Sequence, residues 1–208
     1  MRIYERFWNR IASWYSRQPV ADEAAYQEKL RKTREFLSPD SVVFEFGCGT
    51  GSTALSHAPY VRSIAAIDVS SRMIEIAREK ARAAGLDNVT FDVASIEDFV
   101  APEAAYDVVM AHSILHLLKD QERALAKSYS MLKPGGALVT STICMGDHLS
   151  TRIIGFLVAS LSWIGVLPYI NSASSKVLAS NIRNAGFEIE HEWRPKEKAA
   201  LFLIALKR

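Results

Sequence analysis

Cysteine is nearly missing from this chain. The two that occur, Cys48 and Cys144, sit in different segments and outside spacings such as CxxC, so neither a disulfide framework nor a metal site is expected, and a reduced, cytoplasmic setting suits them. A charge of one dominant sign is missing as well: 25 lysines and arginines face 23 acids, a net charge of +2. No basic field draws the chain toward nucleic acid. The opening MRIYERFWNR has neither the apolar run nor the small-residue cleavage site of a signal peptide, so it is expected to remain on the mature protein. Repeats, low-complexity tracts and linkers are absent. A chain of 208 residues, 49% of them hydrophobic, suffices for one domain with a sizeable core.

What is there is an alternation of strand and helix signals. After a helical stretch to about Leu37, apolar strand runs are expected at Val42 to Phe46, Ser63 to Ile67, Val89 to Val93, Tyr106 to Ala111 and Ala137 to Ile143. Ser71 to Ala84 repeats apolar residues at helical spacing and ends at Gly85, and a second helix runs from about Gln121 to Leu132 before the turn Lys133-Pro134-Gly135-Gly136. Alternation of this kind is the pattern of a parallel sheet. Near the C-terminus, Phe187, Ile189, His191 and Trp193 alternate with Glu188, Glu190 and Glu192, a strand with one wet face, whereas Ala199 to Leu206 has no polar residue. The pair reads as an antiparallel hairpin whose final strand inserts into the sheet and leaves the penultimate one at the edge.

The stretch FEFGCGTG, Phe44 to Gly51, joins a glutamate inside an apolar strand to three alternating glycines. A strand followed by Gly47-x-Gly49-x-Gly51 and a short helix presents bare backbone N–H groups to a ligand. Glu45 at the strand's carboxyl end would be costly if buried unpaired, so it is expected to meet water or a cation, and a ligand ammonium would suit it. One strand later Asp68 ends the run IAAI, where an acid can accept both hydroxyls of a ribose. Together they suggest an adenosine ligand that carries an ammonium.

VVFEFGCGTG, IAAIDVSSRMIEIAREK, YDVVMAHSILHLL and LKPGGALV stand in the order and spacing of class I S-adenosylmethionine-dependent methyltransferases, a family that the chain resembles over nearly its whole length. The resemblance implies an α/β fold: a Rossmann-like, seven-stranded, mostly parallel sheet with a terminal antiparallel hairpin and helices on both faces. It implies a single methyltransferase domain over residues 1–208, with 1–37 as an N-terminal helical cap and 150–175 as a hydrophobic insertion on the substrate side. It implies S-adenosylmethionine as cofactor. Glu45, Gly47 and Gly49, with Cys48 between them, would hold its methionine portion, Asp68 with Val69 its ribose, and Met73 its adenine. The family commonly has an acid where this chain has Ser95; Ile96 would offer its N–H to the adenine ring, with Asp92 or Glu97 as alternatives to Ser95. Ala111 and His112 would border the methionine moiety and the transferable methyl.

His112 is the first candidate for a general base toward an acceptor hydroxyl and His148 the second. His112 and His116 would share one face if HSILHLL opens a helix; core or loop histidines are the plainer reading. Phe7, Trp8, Ile11, Trp14 and Tyr15 lie at helical spacing, so the leading helix is expected either to close over the ligands or simply to dock on the core. The 18 uncharged residues from Ile153 to Ile170 are long enough for a membrane span but are broken by Gly155, Gly165 and Pro168. Read as an apolar pocket wall rather than a core helix, they bring Phe156, Leu157, Trp163 and Tyr169 to a small, lipophilic acceptor, and peripheral membrane contact stays open with the oligomeric state. Where an amide N-methylating family would show Asn or Asp, two prolines and an aromatic, this chain reads Ala111-His112-Ser113-Ile114. The rivals are a nicotinamide-dependent oxidoreductase, disfavoured by Ser52 and the hairpin, and a non-catalytic protein that binds S-adenosylmethionine or a partner.

Overall fold

The structure, a computed structural model, describes residues 2–147, 169–197 and 199–208. Helix α1 (Arg2–Tyr15) and helix α2 (Glu23–Arg34) lead the chain. They are separate because Asp22 caps the second, its carboxylate accepting from the Ala25 N–H at 3.0 Å. Strand β1 (Val42–Phe46) then opens into the short helix α3 (Ser52–His57), and β2 (Ser63–Asp68) into α4 (Ser71–Ala83). After β3 (Val89–Val93) and β4 (Tyr106–His112) come α5 (Gln121–Met131), β5 (Leu132–Thr142), α6 (Ser175–Asn184) and the hairpin of β6 (Glu188–Trp193) and β7 (Leu201–Leu206).

The seven described strands form one sheet in the order β3-β2-β1-β4-β5-β7-β6. Pairing is parallel through β5 and antiparallel between β5 and β7 and between β7 and β6. Leu201 to Ala205 are all buried, and Glu188, Glu190 and Glu192 are exposed on the edge strand, as the two composition patterns require. Apolar clusters lie on both faces: Phe44, Phe46, Val109, Leu125 and Leu203 on one, Val43, Ile64, Ile74, Met110 and Phe202 on the other. The chain leaves β1 toward β2 on one side and places β4 on the other, so a crevice opens where the carboxyl ends diverge.

One local expectation fails, and one condition is not met. The strand after α5 begins at Leu132 rather than Ala137, and the Lys133 to Gly136 run is an irregular extension of it, with a register shift between Tyr106 and Val108. Proline cannot donate to a ladder, but Gly135 at φ +77° turns its N–H to the Lys207 carbonyl at 2.7 Å, so the break is tied down across the sheet. The HSILHLL segment does not open an α-helix either. Strand β4 runs on through His112, Ser113 takes φ +55°, and only a 3-10 turn follows at Leu115–Leu117.

Candidate active site

A cavity of about 580 Å³ opens at the carboxyl ends of β1, β2 and β4 and is covered by residues of α1 and α2. Its floor is the glycine turn. Gly49 sits at φ +54°, and a Cβ built on it would meet nothing within 4 Å, so this position faces open space. Gly51 is different: at φ +75° its Cβ would lie 2.8 Å from the Phe91 ring and 2.9 Å from Ala77, so glycine is required there by packing.

Asp68 organises this turn. One carboxylate oxygen accepts from the Gly49 N–H and the other from the Ser70 N–H, each at 2.9 Å. Burial pushes its pKa up, while those same N–H groups and that of Val69 pull it down. The acid thus fixes the turn and still faces the cavity, where its remaining lone pairs can accept hydroxyls. Glu45 is 2% exposed, and its Oε2 has no hydrogen-bond partner. Burial, opposed by the Ala54 N–H and reinforced by the charge of Asp68, pushes its pKa up to about 8. A buried carboxyl lining a cavity with an unanswered oxygen fits a cation from the ligand better than an internal ion pair.

Of the expected site residues, Glu45, Gly47, Cys48, Gly49, Asp68, Val69, Met73, Ser95, Ile96 and His112 all line this cavity. Ala111 does not; it is fully buried in the apolar cluster beneath it. The Ser95 hydroxyl is already engaged, donating to the Asp98 carboxylate at 2.9 Å and accepting from the Asp98 N–H at 3.1 Å. Of its two alternatives Glu97 lines the cavity, whereas Asp92 is exposed and paired with Arg78 at 3.2 Å. His116 is buried away from the cavity, in a small pocket beside Gln121 and Asn171. His148 lies outside the described residues, as do Phe156, Leu157 and Trp163 of the apolar run. Among the described residues no helix is long and apolar enough to cross a membrane.

His112 ends β4 with its ring parallel to Phe202 at 6.5 Å and its buried Nε2 unpartnered. Burial, with His57 and Lys29 nearby, pushes its pKa down to about 3, so the imidazole is neutral at physiological pH. Helix α1 packs on α4 through Trp8, Met73 and Ile76, and Asn9 Oδ1 accepts from the Ser70 hydroxyl at 2.7 Å and the Arg72 N–H at 3.1 Å. Trp8 and Tyr15 thereby reach the cavity.

Helix α2 contributes residues that the sequence reading passed over. Tyr26 and Lys29 line the cavity; the Tyr26 hydroxyl is buried and unpartnered, and Lys29 Nζ donates to Ser141 Oγ at 2.7 Å. The signal was helical spacing: Lys29 stands four residues after buried Ala25 and four before buried Thr33, on the inward face.

Residues 43–136 match a family model described as a methyltransferase domain. The ubiquinone biosynthesis O-methyltransferase of Xanthomonas axonopodis pv. citri is 30% identical over 151 residues, 71% of this chain and 63% of that protein. A malonyl-[acyl-carrier protein] O-methyltransferase of Priestia megaterium is 29% identical over 146 residues, 69% of this chain and 52% of that protein. The chain thus spans about half the length of one of these curated relatives and under two thirds of the other. The crystal structure of the YcgJ protein from Bacillus subtilis superposes with a TM-score of 0.73 at 15% identity, covering 88% of this chain and 99% of that one.

Proposed function

Because the chain belongs to the class I S-adenosylmethionine-dependent methyltransferase family, we propose that it transfers a methyl group from S-adenosylmethionine to a small, lipophilic acceptor. The observation that carries this reading is the unanswered Glu45 carboxyl beside an open glycine turn that Asp68 holds in place. The residues suit the cofactor. Glu45 would take its ammonium, Gly47, Cys48 and Gly49 its methionine backbone, Asp68 and Val69 its ribose, and Met73, Ser95 and Ile96 its adenine. When bound, it supplies a methyl group already activated on a sulfonium.

The protein's own task is alignment in a water-poor slot. Residues 1–37 act as the cap, since Trp8, Tyr15 and Tyr26 line the cavity, and 150–175 as the acceptor-side insertion of one domain. Within the described part of that insertion, Tyr169 is fixed to α1, its N–H donating to the Tyr4 hydroxyl at 3.1 Å. Two relatives named as O-methyltransferases favour oxygen as the accepting atom. His112 is the first candidate for a general base on the acceptor side, a neutral imidazole with an unpartnered Nε2; His148 is the second. A cytoplasmic location fits this chemistry.

Calorimetric titration tests the reading. S-adenosylmethionine and S-adenosylhomocysteine should bind and raise the melting temperature, and a nicotinamide dinucleotide should not. Tight binding of the dinucleotide with no adenosylmethionine response would refute it.

A further inference from the structure

Lys29 is the single lysine or arginine among the described residues lining a cavity whose other charged walls are Asp22, Glu45, Asp68 and Glu97. It is half-buried, and no carboxylate among the described residues lies within ion-pair distance of it. Asp22, the nearest acid in electrostatic terms, is occupied by Lys196 at 2.9 Å and by the α2 cap. The hydrogen bond to Ser141 uses one of the three ammonium protons. Ser141 is the cross-strand neighbour of His112, so ammonium, hydroxyl and imidazole converge on one spot, with the unpartnered Tyr26 hydroxyl on the same wall.

We propose that Lys29 is an oxyanion seat for the acceptor: the group methylated is the oxygen of a carboxylate or of an acidic phenol, held between the Lys29 ammonium and the Tyr26 hydroxyl beside His112. This rests on the methyltransferase reading. The cofactor's own carboxylate is the competing occupant; its ammonium's candidate partner, Glu45, stands two strands away from Ser141. Glu45 on β1 is opposite Met110 on β4, and Met110 is opposite Val139 on β5, two residues short of Ser141. Two strand spacings of about 4.8 Å put the Glu45 and Ser141 backbones about 10 Å apart across the sheet. Binding of a decarboxylated cofactor analogue separates the two occupants.

The step balances without a further reagent. The acceptor oxygen forms the new O–C bond as the S–C bond breaks, and the bonding pair stays on sulfur. The oxyanion's charge and the sulfonium's charge cancel, leaving a neutral ester or ether and a neutral thioether. A phenol that enters protonated first yields its proton to solvent, an ionisation that the adjacent Lys29 ammonium favours. The methylated product no longer answers the ammonium, which favours release.

The test titrates protein saturated with S-adenosylhomocysteine with octanoate, 4-hexylphenol and 1-octanol, three probes of similar reach. At least one acid should bind more tightly than the alcohol, and which one identifies the source of the oxyanion. Lys29→Met should weaken that acid by about ten- to hundredfold, the scale of a lost charge-assisted hydrogen bond, with the alcohol unchanged and Lys29→Arg recovering part of the loss. Lys29→Gln, which keeps a hydrogen bond to Ser141, should behave like Lys29→Met, and melting curves check that each variant folds. The proposal is overturned if neither acid binds better than the alcohol, or if Lys29→Met keeps the preference. It is overturned too if Lys29→Met weakens S-adenosylhomocysteine but not its decarboxylated analogue. Failure of the unsubstituted protein to bind S-adenosylhomocysteine would sink the underlying reading instead.

Discussion

The proton on Glu45 should leave when the cofactor arrives. In the unliganded protein burial pushes the pKa up to about 8 from an ordinary 4.5, so at pH 7 about nine molecules in ten hold that proton. Pairing with an ammonium requires the carboxylate. The ligand's α-amino group, at roughly 7.7–8.0 in water, must in turn be protonated, so affinity should peak near pH 8 and fall about twentyfold by pH 6, with release of about 0.8 proton per cofactor at pH 7. Calorimetry of S-adenosylhomocysteine binding in buffers of different ionisation enthalpy reads that proton directly. Glu45→Gln should abolish the release, flatten the acid side of the profile, and cost about 1.5–3 kcal/mol of binding at pH 8 but little at pH 6. The same group affects stability. A carboxyl with a raised folded-state pKa contributes stability that is fully present below pH 4.5 and lost as pH rises through about 8. The melting temperature of unliganded Glu45→Gln should therefore gain on the parent between pH 5 and pH 9. Proton release near zero at pH 7, with tight binding, would refute the argument.

Asp68→Ala should weaken cofactor binding by about 1.5–3 kcal/mol and, unlike a residue that touches ligand alone, should also lower unliganded stability, because Gly49 and Ser70 lose their acceptor; calorimetry beside denaturant melts separates the two. Gly51→Ala should destabilise the fold by about 1–3 kcal/mol beyond its backbone strain because of the Phe91 ring, while Gly49→Ala should cost about 1–2 kcal/mol from strain and impair mainly cofactor affinity. His112→Ala should slow transfer to a hydroxyl acceptor by roughly 10²–10⁴ with S-adenosylhomocysteine affinity little changed; a rate within a few-fold of the parent at saturating S-adenosylmethionine would make it a packing residue.

The sheet was legible because its strands are continuous apolar runs with abrupt ends, and the hairpin because wet and dry strands differ in composition. β1 and β3 match their expected limits residue for residue. What escaped were features made by contacts distant in sequence. Lys133 to Gly136 reads locally as a turn, and only Lys207, more than seventy residues on, makes it a ladder. The cavity floor was readable because glycines and an acid at fixed spacing shape one turn. The wall made by Tyr26, Lys29 and Ser141 was not: they come from a helix and a strand whose adjacency no local pattern encodes. His112 and His116 do not share a helix face because strand β4 runs through His112 and a left-handed residue, Ser113, follows it.

The place of β7 between β5 and β6 governs the order in which the sheet can be completed. Ala137 pairs with Leu206 and Thr142 with Leu201, so the closing contacts join segments separated by 59 to 69 positions. Loop-closure entropy for such a contact must be met before it gives anything back, which makes it, with the β1–β4 pairing at 65 positions, a late, slow event in a chain whose β1–β2, β2–β3 and β4–β5 pairings span only 21 to 29 positions. Until it occurs, β5 presents an open, wholly apolar rim from Ala137 to Val139. A partly folded molecule is therefore most exposed to association along that rim, and conditions that speed hairpin docking should raise the yield of refolding more than they raise final stability.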